Sequence, residues 1–314
     1  TFNKKAGAMT TSNLGLSFLV LTMNLSAYSI LGSIIGYKLN NNQIKLSSKN
    51  AAYSTFFTTL ISAICLVYAF VTNDFSIKYV FNHSNLSMNP AYTWVAMYAG
   101  NEGSLLYIAL IISLSILLVL KFKPKDLIES EPHLIALMSG FLLFFISVMV
   151  FFANPFDTFQ SNIPSDGRGM NPLLAHPGMF SHPPLLMAGL ATISVPFSLI
   201  TSMLLTGTFR NNGLDFVRTT SLIVWCILGV GLLLGSWWAY TILGWGGYWV
   251  WDPIENVGLM PWLVMTAFIH SIIVQRRRGM FRVWNVILIF LAFVLAQFGM
   301  FINRGGPVVS VHSF

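Results

Sequence analysis

Long apolar runs separated by short polar segments dominate this chain. An α-helix needs roughly 20 mostly apolar residues to cross a bilayer. Eight stretches approach that length: 14–37, 51–72, 100–120, 133–153, 183–205, 219–239, 258–275 and 283–302. The first and third carry a polar or charged residue, Asn24 and Glu102. The expected fold is therefore all-α, a polytopic transmembrane helical bundle of about 8 spans.

Composition agrees. Only 9% of the 314 residues are charged and 55% are hydrophobic, against about 25% charged in an average soluble domain. The net charge of +7 finds its explanation in topology, and no basic stripe with interleaved aromatics suits nucleic acid. Twelve of the 17 Lys and Arg residues fall in one alternating set of connections, from Lys38, Lys45 and Lys49 to Arg276–Arg278 and Arg282. The other set holds Lys4, Lys5, Lys78, Arg168 and Arg304. The positive-inside rule then puts 73–93, 154–182, 240–257 and 303–314 on the non-cytoplasmic side. Cys65 and Cys226 lie in apolar runs without a CxxC partner and read as small hydrophobes. The start at Thr1 shows no secretory signal pattern.

The outward segments contain the unusual residues. Six of nine tryptophans fall between 237 and 262: Trp237, Trp238, Trp245, Trp249, Trp251 and Trp262. An aromatic belt spreads over many helix ends, whereas this cluster sits in one place with Gly244, Gly246 and Gly247 between the rings. Flat π-faces on a bendable backbone suit a large flat apolar ligand. Asp252 and Glu255 add a polar edge.

Three of six histidines rise above a structural expectation. His182, followed by Pro183 and Pro184, stands at the mouth of the fifth span, and His312 follows the eighth. Two neutral imidazoles beside an aromatic platform suit haem iron. His270 lies inside the seventh span, where an ionisable residue is costly and commonly functional; it suits a second haem within the bilayer, or else a bond to a backbone carbonyl. His176 competes with His182 for the ligand role. His83 reads as a loop residue and His133, beside Glu131, as a solvated helix start. Glu102 is either a polar helix start or part of a proton or substrate path. No phosphate-binding, nucleophile-elbow or zinc motif is present.

The segment WAYTILGWGGYWVWDPIENVGLMPWL resembles the WWD signature of haem-handling membrane proteins. With GNEGSLL, NPLLAHPGMFSHPPLL and FINRGGPVVSVHSF, it resembles the CcmF-type cytochrome c haem lyase subunit of System I maturation, in its N-terminal part. The likeness runs from about Trp94 to Phe314. It suggests N-terminal spans over 1–93 with a weak family match and a haem-handling membrane core over 94–314, including the loop 237–262. Asn101 and Tyr98 stand where the family usually has His and Trp, and Tyr248 and Val250 replace bulkier aromatics.

The resemblance implies haem ligation by His182 and His312, and a haem-presenting loop of Trp237, Trp238, Trp245, Trp249, Trp251 and Asp252. It implies that His270 is one of two intramembrane ligands to a separate haem b. The implied function is thioether attachment of haem to the CxxCH motif of apocytochrome c, after delivery by a haem chaperone. A C-terminal partner chain would supply the second intramembrane histidine. The abundance of Phe, Ile, Asn and Ser suits an AT-rich genome such as an organelle's and suggests the mitochondrial inner membrane, with the bacterial cytoplasmic membrane as alternative. Two other functions fit: a haem carrier or exporter without lyase activity, and an inactive structural subunit of a larger complex.

Overall fold

In a computed structural model of the protein, residues 2–242, 247–306, 308 and 310 are described. Among the described residues, eleven α-helices follow one another: α1 (Phe2–Lys38), α2 (Asn42–Val71), α3 (Lys78–His83), α4 (Pro90–Thr93), α5 (Asn101–Phe122), α6 (Glu131–Phe151), α7 (His182–Thr192), α8 (Ser194–Thr206), α9 (Asn211–Ile242), α10 (Pro253–Arg278) and α11 (Arg282–Gly305). Eight segments are long and apolar enough to cross a membrane, α7 and α8 together forming one of them. These are the eight runs expected from hydropathy. The protein is an integral membrane protein of the all-α polytopic class.

The helices extend past the apolar runs because their ends are capped by polar residues. Asn41 starts α2 by accepting from the backbone N–H groups of Gln43 and Ile44 at 2.9 and 3.2 Å, which satisfies two donors a helix start otherwise leaves open. The left-handed Gly207 (φ 68°) and Gly279 (φ 68°) end α8 and α10, where a side chain would be strained.

Two prolines shape the spans. Pro196 has no N–H and its ring crowds the carbonyl four residues earlier, and the fifth span breaks at Ile193, between α7 and α8. Pro261, inside α10, leaves the Val257 carbonyl without its helical donor. Gly299 of α11 packs against that carbonyl; a Cβ there would lie 2.9 Å from the oxygen.

Many hydroxyl side chains inside the spans bond back to the preceding turn, as Thr22 does to Phe18 O at 2.8 Å, which satisfies the donor in an apolar medium; Ser139, Ser221 and Ser271 are buried without such a bond. Some also join helices. Thr22 meets Thr58 at 2.7 Å and Ser62 donates to Gly15 O at 3.0 Å, holding α1 against α2. Large exposed apolar side chains such as Leu233, Ile223 and Phe57 cover the outside of the bundle, as a lipid-facing surface requires. At the expected cytoplasmic end, Lys49 and Lys123 share Glu131.

Candidate functional site

The chain from Asn171 to His182 is a staircase of two tight 3-10 turns. Asn171 caps the first by accepting from Leu173 N at 3.0 Å. His176 caps the second: its Nδ1 accepts from Gly178 N at 3.0 Å. An Nδ1 that accepts leaves the ring proton on Nε2, which lies 3.2 Å from Thr241 Oγ1. Both ring nitrogens of His176 are therefore engaged. Burial holds its pKa below the ordinary value, so it stays neutral at pH 7. These bonds suit His176 to a scaffolding role.

His182 opens α7, with Pro183 and Pro184 in the first turn, where proline fits because that turn's N–H groups lack helical partners. Its Nδ1 lies 2.8 Å from the Gly231 carbonyl of α9. A carbonyl only accepts, so Nδ1 carries the proton and the lone pair sits on Nε2. That is the tautomer in which an imidazole ligates a metal, its other nitrogen held by a backbone carbonyl. The neighbouring backbone makes room for the ring. A Cβ on Gly235 would lie 2.5 Å from His182 Cε1, and one on Gly231 would lie 2.8 Å from Leu186 N. Gly231 and Gly235 form a small-xxx-small pair on α9 that lets two spans approach closely.

A cavity of about 130 Å³ lies beside this contact, with Tyr98, His182, Leu186, Gly235, Trp238 and Arg304 among its walls. Most ligand pockets measure about 300–1,000 Å³, so a large planar ligand would seat one edge here and leave the rest toward the loop. Trp238 is buried between the two histidines, stacked on His176 (5.6 Å, 21°) and edge-on to His182 (5.7 Å, 89°). Tyr98 donates to Met179 O at 3.0 Å; burial, then the neighbouring Tyr107, raises its pKa, so it remains a neutral donor.

The tryptophan-rich turn joins α9 to α10. Trp237 is exposed and 5.0 Å from the His176 ring. Trp249 and Trp251 meet edge-to-face at 6.4 Å; Trp251 adopts φ 60° and is 71% exposed, so its ring is displayed and not packed. Asp252, only 8% exposed, is the N-cap of α10. It accepts from Ile254 N at 2.9 Å while Glu255 reaches back to Asp252 N at 3.2 Å and Val250 N at 3.0 Å. Ser310 donates to the same aspartate at 2.7 Å, which ties the segment after α11 to the turn. Asp252 is thus the joint of the loop. Replacing it by Ala should cost about 1–2 kcal/mol, the range for a lost N-cap, read as a lower melting temperature in detergent. Asp252→Asn, which keeps the accepting oxygen, should retain most of the stability. Equal melting of all three proteins would contradict this role.

Trp245 and His312 lie outside the described residues. His270 is not brought to the cavity. It sits on the outer face of α10, exposed, with Nδ1 2.7 Å from the Thr266 carbonyl, so Nε2 carries the lone pair. Behind it, Trp225 and Trp262 stack at 5.3 Å and 17°, and Trp225 Nε1 donates to Thr266 Oγ1 at 2.7 Å. The carbonyl bond anticipated as the bland alternative is present; burial is not.

Two other expectations change in part, and the helix-start reading of Glu102 holds. His133 stands at the start of α6 as expected but is partly buried, edge-on to Tyr37 at 4.6 Å. His83 ends α3 and donates to Tyr79 O at 2.9 Å, so it is structural but lies on a helix. Glu102 stands in the first turn of α5, where a carboxylate suits the helix dipole, but Gly100 occupies the cap position. Two features escaped the sequence reading. The Gly231/Gly235 pair is legible as GLLLG, and Arg304 is legible as a cation at the outward end of a span. Among the described residues, no three His, Cys, Asp or Glu side chains converge on one point. His182, with its fixed tautomer and apolar surroundings, fits haem on those grounds.

Comparison with known proteins places this geometry. The family model described as "Cytochrome C assembly protein" matches residues 98–306. The cytochrome c-type biogenesis protein CcmF of Haemophilus influenzae is 37% identical over 307 residues, covering 96% of this chain and 47% of the relative. That of Escherichia coli is 38% identical over 298 residues, covering 94% and 45%. A solved structure titled "Cytochrome c Heme Lyase CcmF" superposes with a TM-score of 0.83 at 32% identity, over 95% of this chain and 48% of that one. The chain spans about half the length of the relatives it matches. Those two curated relatives are bacterial.

Proposed function

The chain belongs to the cytochrome c assembly protein family, and from that premise we propose that it is the haem-binding portion of a cytochrome c haem lyase. The observation that carries the reading is His182. Its tautomer is held by Gly231 O at 2.8 Å, its lone pair sits on Nε2, and it lines a cavity walled by Trp238. Haem, when bound, supplies the vinyl groups to which the two thiols of an apocytochrome CxxCH motif add. What the chain contributes is orientation, which can supply a large share of a rate enhancement. His182 and His312 are the residues that would hold the haem iron. Trp237, Trp245, Trp249 and Trp251 would offer flat apolar faces to the macrocycle, and Trp238 packs edge-on to the His182 ring.

His270 is proposed as a ligand to a second, intramembrane haem b. Its exposed position on α10 would leave room for a second histidine from a C-terminal partner chain. Replacing His270 by Ala in the complete complex should remove the bis-histidine α-band of that haem while leaving the chain in the membrane. An unchanged reduced spectrum would count against it.

Apocytochrome c and a haem chaperone are the proposed partners, acting on the non-cytoplasmic side. The bacterial relatives support a bacterial cytoplasmic membrane and give a mitochondrial location no support. The division into 1–93 and a haem-handling core over 94–314 is kept as part of the proposal.

The test is reconstitution. The purified complete complex, supplied with chaperone-delivered haem, reductant and an apocytochrome, should yield product whose haem survives acid–acetone extraction. Bound haem without covalent product would instead indicate a carrier, and absence of a Soret band a structural subunit.

A further inference from the structure

Arg304 ends the eighth span with its guanidinium in the wall of the cavity that holds His182. A guanidinium has five donors in a rigid fork and no acceptor. Here its hydrogen-bond partners are weak and neutral: Asn101 Oδ1 at 3.4 Å and the Met187 thioether sulfur at 3.3 Å. Among the described residues, none of the ion pairs within 4.0 Å involves Arg304. Glu102, beside Asn101 in sequence, does not form one. Two tyrosine hydroxyls lie nearby, and both donate to backbone carbonyls, Tyr98 to Met179 O at 3.0 Å and Tyr79 to Met97 O at 2.9 Å. A charge in an apolar wall with neutral partners is costly unless a counter-ion completes it. The fork geometry matches one chemistry best, a carboxylate bound through two parallel N–H···O bonds.

Arg304 and His182 line one cavity, and the residue that Arg304 reaches, Met187, lies on the same helix as His182. We propose that Arg304 binds a propionate carboxylate of the haem whose iron is ligated by His182. The proposal rests on the haem reading of this cavity and adds a second, independent grip. Two fixed points determine the in-plane rotation of a planar ligand, which one axial bond leaves open. Arg304 is a positioning residue in this arrangement and takes no part in bond formation.

The experiment compares two ligands on three proteins. The complete complex with Arg304, with Arg304→Gln and with Arg304→Lys is titrated with haem and with haem dimethyl ester, whose propionates are blocked, and binding is read from the Soret band. The native complex should prefer haem to the ester. In Arg304→Gln the affinity for haem should fall about 10- to 100-fold, the range for a lost charge-assisted bond, while ester affinity stays constant, and Arg304→Lys should recover part of the loss. Equal loss for both ligands would make Arg304 structural and overturn the proposal, as would no loss for either. A native complex that binds neither ligand would remove the haem reading itself, a result distinct from failure of the propionate contact alone.

Discussion

With His182 replaced by alanine, membranes should carry normal amounts of the chain and no holocytochrome c. Two effects have to be separated. Losing the bond from His182 Nδ1 to Gly231 O removes about 1 kcal/mol, the usual net value of a hydrogen bond. Gly231 lies in the middle of α9, so its carbonyl keeps a helical donor. The fold should survive. Function should not. Disturbing only the group that orients a metal-bound histidine commonly costs 10- to 100-fold, and removing the ligand should cost at least about that much. Haem staining of the cytochromes against an immunoblot of the chain measures both. His182→Gly extends the argument, because it leaves a ring-sized space in the cavity wall that added imidazole can enter. Partial recovery with imidazole would show that the lost group is a ligand. His176→Ala is the internal control: both its ring nitrogens are engaged by Gly178 and Thr241, so a loss of only a few-fold is expected. Normal maturation in His182→Ala would sink the assignment.

The eight spans were legible because lipid imposes a single rule, an uninterrupted apolar run of sufficient length. Their ends were less so. α9 starts at Asn211 and α10 at Pro253, several residues before their apolar runs, because capping and interfacial residues continue a helix without adding hydrophobicity. The start of α10 was nonetheless written in the sequence: Asp252 and Glu255 stand three apart as a capping box does. Read as a polar edge of a ligand platform, Asp252 is first of all a helix cap. The choice between His176 and His182 was not legible, because it turns on which ring nitrogen carries the proton, and only the Gly178 N–H and the Gly231 carbonyl decide that. Arg304 was counted as a stray positive charge on the sparse side of the membrane. Its meaning lies in the cavity it lines, a fact of packing between α7, α9 and α11. The ends of the site that the sequence singled out at Trp245 and His312 lie beyond the described residues.

Packing also makes the second large effect, which propensity alone would get wrong. Gly235 lies within the long helix α9, where exchange of Gly for Ala ordinarily stabilises a helix by roughly 1 kcal/mol. Gly235→Ala should therefore cost little in accumulation of the chain. Its Cβ, however, would fall 2.5 Å from Cε1 and 2.8 Å from Nδ1 of His182, closer than any real Cβ contact. The imidazole is the end of a short, stiff side chain that meets Trp238 edge-on, so it cannot swing clear without losing its bond to Gly231. The ring must move or α7 must part from α9. A displacement near 1 Å at a positioned group can cost about 100-fold in rate, so maturation should drop by that order while the protein stays folded. The Soret band of bound haem should shift or weaken in parallel, and Gly235→Ser should behave like Gly235→Ala because it adds the same Cβ. Gly207→Ala is the contrasting variant: nothing lies within 4 Å of its added Cβ, and only its φ of 68° opposes the change, so it should lower stability and spare haem binding. If Gly235→Ala matured cytochromes at the native rate, His182 would have to bind in a different rotamer from the one that donates to Gly231. The two-point seating of the ligand between His182 and Arg304 would then fail with it.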